Sequence, residues 1–317
     1  MKIFRKIIKI LTAFFLVIVL VAAGWTIWEH NRDPMVVLDK KPGTIIPIVD
    51  STLISRFLSE EREYRHIKLS TENIDTIEAF ISLPLIRYMP TMPVIIVLGG
   101  LEIGIHNFRY ISEPGNNVIV IYQYPYKTDQ WRNNYVITQV PIVRRKILEV
   151  PAQIISLVEW IRIQSWADTS RINISGYSFG AFFTPAVYHL DNIKEQYLAP
   201  GVIAYGGVDS YQLLMTNMKK TILPLKMLAS WFVSTSLHPI EPALHLPQMN
   251  NEFLIINGNM DDQIPMECWQ ELHQLVPEPK TIIILEEGHM HPRKPELTLK
   301  LVNLSKKWLR DKRVINP

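Results

Sequence analysis

A single cysteine, Cys268, stands in a chain of 317 residues. One thiol closes no intramolecular disulfide and builds no zinc cluster alone, so a disulfide-stapled scaffold is excluded. A strong charge of either sign is also missing, since 33 Lys and Arg against 30 Asp and Glu leave a net charge of +3. Lys2, Arg5, Lys6 and Lys9 supply four of those positive charges, which leaves the rest slightly acidic. That balance argues against a nucleic-acid partner. There is no internal repeat and no low-complexity tract. With 48% apolar and 20% charged residues, disordered and collagen-like chains are poor fits, and a sizeable core is expected.

Long apolar runs are absent too, with one exception. Ile10 to Trp28 reads ILTAFFLVIVLVAAGWTIW, without a charge, after the basic stretch MKIFRKIIK. At about 1.5 Å per residue this run just crosses a hydrocarbon core of about 30 Å. The excess of Lys and Arg ahead of it favours an amino terminus kept in the cytoplasm, with Trp25 and Trp28 at the far interface and the following domain outside, in the periplasm of a Gram-negative cell. The alternative is a cleavable signal peptide ending near Ala22, Ala23 and Gly24, which would release a secreted protein. Residues 1–30 thus read as a membrane anchor or signal segment. Residues 31–61 read as a linker with one small helix, and 62–317 as the globular domain.

Within that domain YRHIKLS and IEAFISL alternate as a hairpin would, and short continuous apolar runs follow: PVIIVLGG, NVIVIYQ, RINISGYS, GVIAYGG, EFLIINGN and KTIIILEE. Runs of this kind are strands covered on both faces. Helical spacing between them, at about Val143 to Gln164, Ala181 to Leu190, Met266 to Leu275 and Pro295 to Arg310, predicts an α/β class with a mostly parallel, doubly wound sheet. About residues 210–250 form an apolar stretch too long for an ordinary connection. It is expected to fold as a helical cap insertion.

The chemistry centres on RINISGYSFGAFF, where Gly176, Tyr177, Ser178, Phe179 and Gly180 make a G-x-S-x-G pattern between a strand and a helix. So sharp a turn holds the serine in a strained conformation, lifts its hydroxyl above the sheet and leaves the Phe179 N–H at a helix start, ready for an oxyanion. An ordinary glycine-rich turn with an unreactive serine is the competing reading. A weak hydroxyl nucleophile needs a histidine base and an orienting carboxylate. Asp261 and Asp262 follow one apolar strand in INGNMDDQIP, and His289 and His291 follow the next in LEEGHMHP. Loops at the carboxyl ends of parallel strands share one sheet edge, so these side chains can converge on Ser178.

On GYSFG, GNMDDQIP and EGHMHP, residues 62 to 313 resemble the α/β-hydrolase superfamily, in its branch of esterases, dienelactone hydrolases and serine peptidases. The resemblance implies Ser178 as nucleophile, His289 as general base and Asp261 as orienting acid, with Asp262 and Asp209 as the other acid candidates. It implies a second oxyanion donor from the loop after the third strand, supplied by Gly100 or Leu101, although this chain has Leu98 and Gly99 where many relatives carry His-Gly. Ala181 replaces a further frequent Gly. No metal or organic cofactor is implied; His238 and His245 are scattered, while His106 and Glu102 are pocket candidates. Arg144, Arg145 and Lys146 read as a solvated helix face. The expected activity is that of a membrane-tethered serine hydrolase on a small acyl substrate: an ester, thioester or small amide. A peptidase or acyltransferase using the same residues, or an inactive binding module on the same fold, are the alternatives.

Overall fold

The computed structural model describes residues 2–57, 60–100, 104–125, 136–194, 197–291 and 294–317. The chain opens with helix α1 (Lys2–Asn31) and the short α2 (Met35–Leu38), then strands β1 (Ile46–Phe57), β2 (Glu60–Ser70), β3 (Ile77–Pro84) and β4 (Met92–Leu98). After a 3-10 turn at Gly104–Tyr110 come β5 (Val118–Gln123), α3 (Val136–Arg162), β6 (Ala167–Tyr177), α4 (Phe179–Lys194) and β7 (Gly201–Ala204). The insertion holds α5 (Ser210–Asn217), α6 (Leu223–Ser236) and α7 (Pro242–His245). The chain ends with β8 (Phe253–Gly258), α8 (Met266–Leu275), β9 (Lys280–Leu285) and α9 (Pro295–Asp311).

The strands join one sheet in the order β1-β2-β3-β5-β4-β6-β7-β8-β9. β1, β2, β3 and β5 pair antiparallel, and β4 to β9 run parallel. The period-2 alternation of a strand splits its side chains between two cores. Val94, Ile96 and Leu98 of β4 join the cluster that carries α3 and α4, whereas Ile95 and Val97 face the one that carries α9. Both faces being covered explains why these strands read as unbroken apolar runs.

The sheet begins earlier than the sequence suggests. Residues 46–57, within the stretch read as linker, form β1 and pair with β2 from Ile46–Ser70 to Phe57–Glu60. Ile46, Ile48, Leu53 and Ile54 are all exposed on it, so β1 has no buried face to impose an alternating pattern. Helix α3 also starts seven residues before the expected Val143.

The insertion is fastened at both ends. Toward α4, His189 Nδ1 lies 3.0 Å from His245 Nδ1, and His245 Nε2 lies 2.8 Å from the Pro239 carbonyl oxygen. A neutral His245 donates from Nε2 and accepts at Nδ1, which satisfies both ring nitrogens. Toward the amino terminus, Ala22, Trp25, Thr26 and Glu29 form the partly covered stripe of α1. Trp25 meets Trp231 edge to face with ring centroids 5.7 Å apart, and His30 stacks on His238 at 4.0 Å. Arg144 is not simply solvated: it donates to Glu29 Oε1 at 2.6 Å and to the Ser236 carbonyl at 2.9 Å.

Burial pushes the fully enclosed His245 down to about 4. A histidine whose folded value lies below its unfolded one contributes stability that is complete above about pH 6.5 and is lost as pH falls toward 4. Urea unfolding across that window is expected to show a loss on the order of 3 kcal/mol attributable to this residue. His245→Gln is expected to make the profile shallower and to leave the part due to His273, which burial also pushes down to about 4.

Candidate functional site

β4, β6, β7, β8 and β9 end on the same edge of the parallel sheet, and Gly100, Ser178, Asp209, Asp261 and His289 each follow one of those ends. The turn after β6 is the tightest. Ser178 has φ 52°, in the left-handed region that costs a non-glycine residue energy. Its N–H donates to the Ala204 carbonyl at 2.8 Å, and its carbonyl accepts from Ala181 N–H at 2.9 Å. A Cβ at Gly176 would collide with Thr184 Oγ1, and one at Gly180 with the Leu98 carbonyl oxygen. The two flanking glycines are therefore fixed by close approach, and the second brings the end of β4 against the turn.

Ser178 Oγ lies 2.8 Å from His289 Nε2. On the other side of the ring, His289 Nδ1 lies 2.7 Å from Asp261 Oδ2. A carboxylate only accepts, so Nδ1 carries the proton and Nε2 presents its lone pair to the serine hydroxyl. The second Asp261 oxygen, Oδ1, accepts from the backbone N–H groups of Gln263 (2.8 Å) and Ile264 (3.0 Å). The Asp261 side chain is 0% exposed and that of His289 6%, which shields the pair from water and strengthens its charge-assisted bond.

The other candidates stand elsewhere. Asp262 is exposed and pairs with Lys219 Nζ at 2.6 Å, a contact that lowers its carboxyl below the ordinary range. Asp209 accepts from Gln212 N–H at 3.1 Å and caps α5. His291 is exposed, as is His106 on the 3-10 turn. His238 and His245 belong to the insertion's fastenings. Leu101 and Glu102 lie outside the described residues. Among the described residues, no group of three or more His, Cys, Asp or Glu is gathered for a metal ion.

Phe179 opens α4, so its N–H is one of the first-turn donors without an intrahelical acceptor. Gly100 lies two residues beyond Leu98, whose carbonyl oxygen stands so close to Gly180 that no Cβ would fit there. Two tyrosines secure this corner, one of them in the Tyr-rich segment YQYPYKTDQW, which the sequence offers as a pocket wall. Tyr124, just after β5, donates its hydroxyl to the Gly99 carbonyl at 3.0 Å and meets the Phe179 ring edge to face at 5.1 Å. Tyr205, just after β7 at φ 56°, stands perpendicular to the His289 ring with centroids 5.4 Å apart. The richness of Tyr in YQYPY is the only sequence signal for the first; a tyrosine inside an apolar run gives none for the second.

No family model and no curated protein matches this chain. Solved structures do. Acetyl xylan esterase 1 from Thermoanaerobacterium sp. JW/SL YS485 superposes with a TM-score of 0.62 at 15% identity, over 86% of this chain and 94% of that one. An esterase of Pyrococcus furiosus gives 0.54 at 15% identity, over 83% and 97%. The acylaminoacyl peptidase of Pyrococcus horikoshii gives 0.52 at 16% identity, over 82% of this chain but 49% of that one. At such identities the likeness is one of architecture. In strand order, turn after β6 and superposition alike, the chain has the α/β-hydrolase fold.

Proposed function

We propose that this protein is a membrane-tethered serine hydrolase that cleaves an ester, thioester or small amide through an acyl-enzyme. The observation that carries the reading is the continuous hydrogen-bonded line from Ser178 through His289 to Asp261. In the first half-reaction Ser178 Oγ bonds to the substrate carbonyl carbon while its proton passes to His289 Nε2. Asp261 stabilises the imidazolium, and the N–H groups of Phe179 and Gly100 hold the negative oxygen of the tetrahedral intermediate. Collapse breaks the bond to the leaving group, which takes the proton from His289. Water then repeats the sequence, with His289 receiving its proton, and frees the acid and Ser178.

The tether is α1, whose stretch Ile3–Asn31 is long and apolar enough to cross a bilayer. The basic residues ahead of it favour an extracytoplasmic body. Esterase chemistry is preferred over peptide cleavage because the two esterases match this chain over almost their whole length, whereas the peptidase has as much chain again outside the match.

A fluorophosphonate probe is expected to label the full chain and to fail on Ser178→Ala; absence of labelling on well-folded wild type would favour a binding module instead. A panel of short-chain and long-chain esters, thioesters and peptides, run with and without an alcohol acceptor, separates hydrolase, peptidase and acyltransferase. Asp261→Asn is expected to lower kcat about 10³- to 10⁴-fold by turning the imidazole to the wrong tautomer. The exposed neighbour Asp262→Asn should change kcat less than about threefold, because a surface ion pair contributes little. Tyr124→Phe, which frees the Gly99 carbonyl, is expected to lower kcat about tenfold with KM nearly unchanged, since it loosens a donor that acts in the transition state.

A further inference from the structure

Helix α6 carries an apolar surface that the rest of the chain leaves uncovered. Ile222, at its cap, is 72% exposed, and Leu223, Leu225 and Leu228 are 60%, 54% and 58% exposed. Met227 and Phe232 are exposed beside them. So many large apolar groups on one short helix exceed what a water-facing surface ordinarily shows. Lys219 and Lys220 precede them, exposed, and Lys226 lies among them. The exposed apolar groups are spread over most of the circumference of α6, and with the lysines beside them they offer a membrane surface both an apolar and a cationic contact.

The position of α6 relative to α1 supplies the occupant. Trp231 closes a cleft with Val19, Ala22, Ala23, Thr26 and Ile27, and Trp25 touches both Trp231 and Phe232. These α1 residues belong to the second half of the apolar run. At about 1.5 Å per residue, Val19 lies about 14 Å below Trp28 along the helix axis. A side chain seated between residues 19 and 27 of a spanning helix therefore reaches the acyl region and not only the headgroups.

We infer that α6 is an interfacial helix, with Leu223, Leu225, Met227 and Leu228 resting in the outer leaflet of the phospholipid bilayer that α1 crosses. This rests on the reading of α1 as a span. It also fixes how the site meets the membrane. The segment leading into α6 holds the loop of the acid: Asn217 Nδ2 donates to the Gln263 carbonyl at 2.9 Å, and Lys219 pairs with Asp262. The Ser178 edge of the sheet thus sits beside the lipid, within reach of acyl substrates that partition there.

The test uses the full chain in phosphatidylcholine and phosphatidylglycerol vesicles. Leu228→Cys is labelled with an environment-sensitive fluorophore, the native thiol of Cys268 being buried; Leu225→Cys serves as a second variant should the first fold poorly by circular dichroism. Leu16→Cys reports on α1, and Ile86→Cys, on the antiparallel side of the sheet and 71% exposed, reports on the water-facing body. Nitroxide lipids labelled near the top of the acyl chain are expected to quench the α6 label about twofold or more, as they should for a helix buried about 5–10 Å into the interface. They should leave the Ile86→Cys label unchanged. Quenching at Leu16→Cys without quenching on α6 overturns the inference and leaves the anchor standing. No quenching at Leu16→Cys overturns the anchor and the inference together. A blue-shifted α6 label that ignores nitroxide lipid but fades on dilution into excess vesicles overturns it in favour of a second copy of the chain.

Discussion

The whole arrangement depends on a turn that only a particular backbone can make. Strand β6 becomes helix α4 across one residue, Ser178, held at φ 52°. A strained conformation of this kind persists only when its surroundings over-determine it. Here Ala204 and Ala181 hold the serine backbone by two hydrogen bonds, and Leu98 presses against the glycine two places on. The strain is local, whereas its support comes from two neighbouring strands, β4 and β7, and from the first turn of α4. The same close approach that forces Gly180 also carries the end of β4, and with it Gly100, to the mouth of the turn.

Sheet polarity does the rest. Because β6, β8 and β9 run parallel, the residues that follow them emerge on one edge, and 111 residues of chain separate a serine from a histidine in hydrogen-bond contact. Each partner is then fixed by groups outside the line itself. Asp261 is aimed by two backbone donors, His289 is flanked by the ring of Tyr205, and the Gly99 turn is tied down by Tyr124. These supports are what convert a coincidence of loops into a constellation with one tautomer.

How much of this was legible in the sequence follows from how each feature is encoded. The parallel strands write themselves as apolar runs, and the elbow, acid loop and histidine loop each carry glycine or proline at fixed offsets from the polar residue. Strand β1 leaves no such trace, since apolar groups on it face water and no core selects one parity. Arg144 is illegible for a different reason: a charge on a helix face looks solvated until its partner, Glu29, is brought in from 115 residues away. Tyr124 and Tyr205 act through a hydroxyl and a ring edge whose targets are set only by the assembled fold. Between Asp261 and Asp262 the motif GNMDDQIP favours the first, but the residues themselves give no physical reason for it until the fold is assembled. Adjacent and chemically identical, they differ only in that one is enclosed beside the imidazole and the other is held outward by Lys219.

The pairing of Glu29 with Arg144 has a mechanical side. Glu29 is 2% exposed and closes the last turn of α1 onto α3 and the insertion, so the first helix leaves the body from a fastened base, as a spar and not as a string. A body carried on a spar keeps one orientation toward whatever surface the spar is planted in. On the proposed reading of α1 as a span, its reach is set by lateral diffusion of the whole unit, not by swivelling, and its working edge samples a layer of constant height.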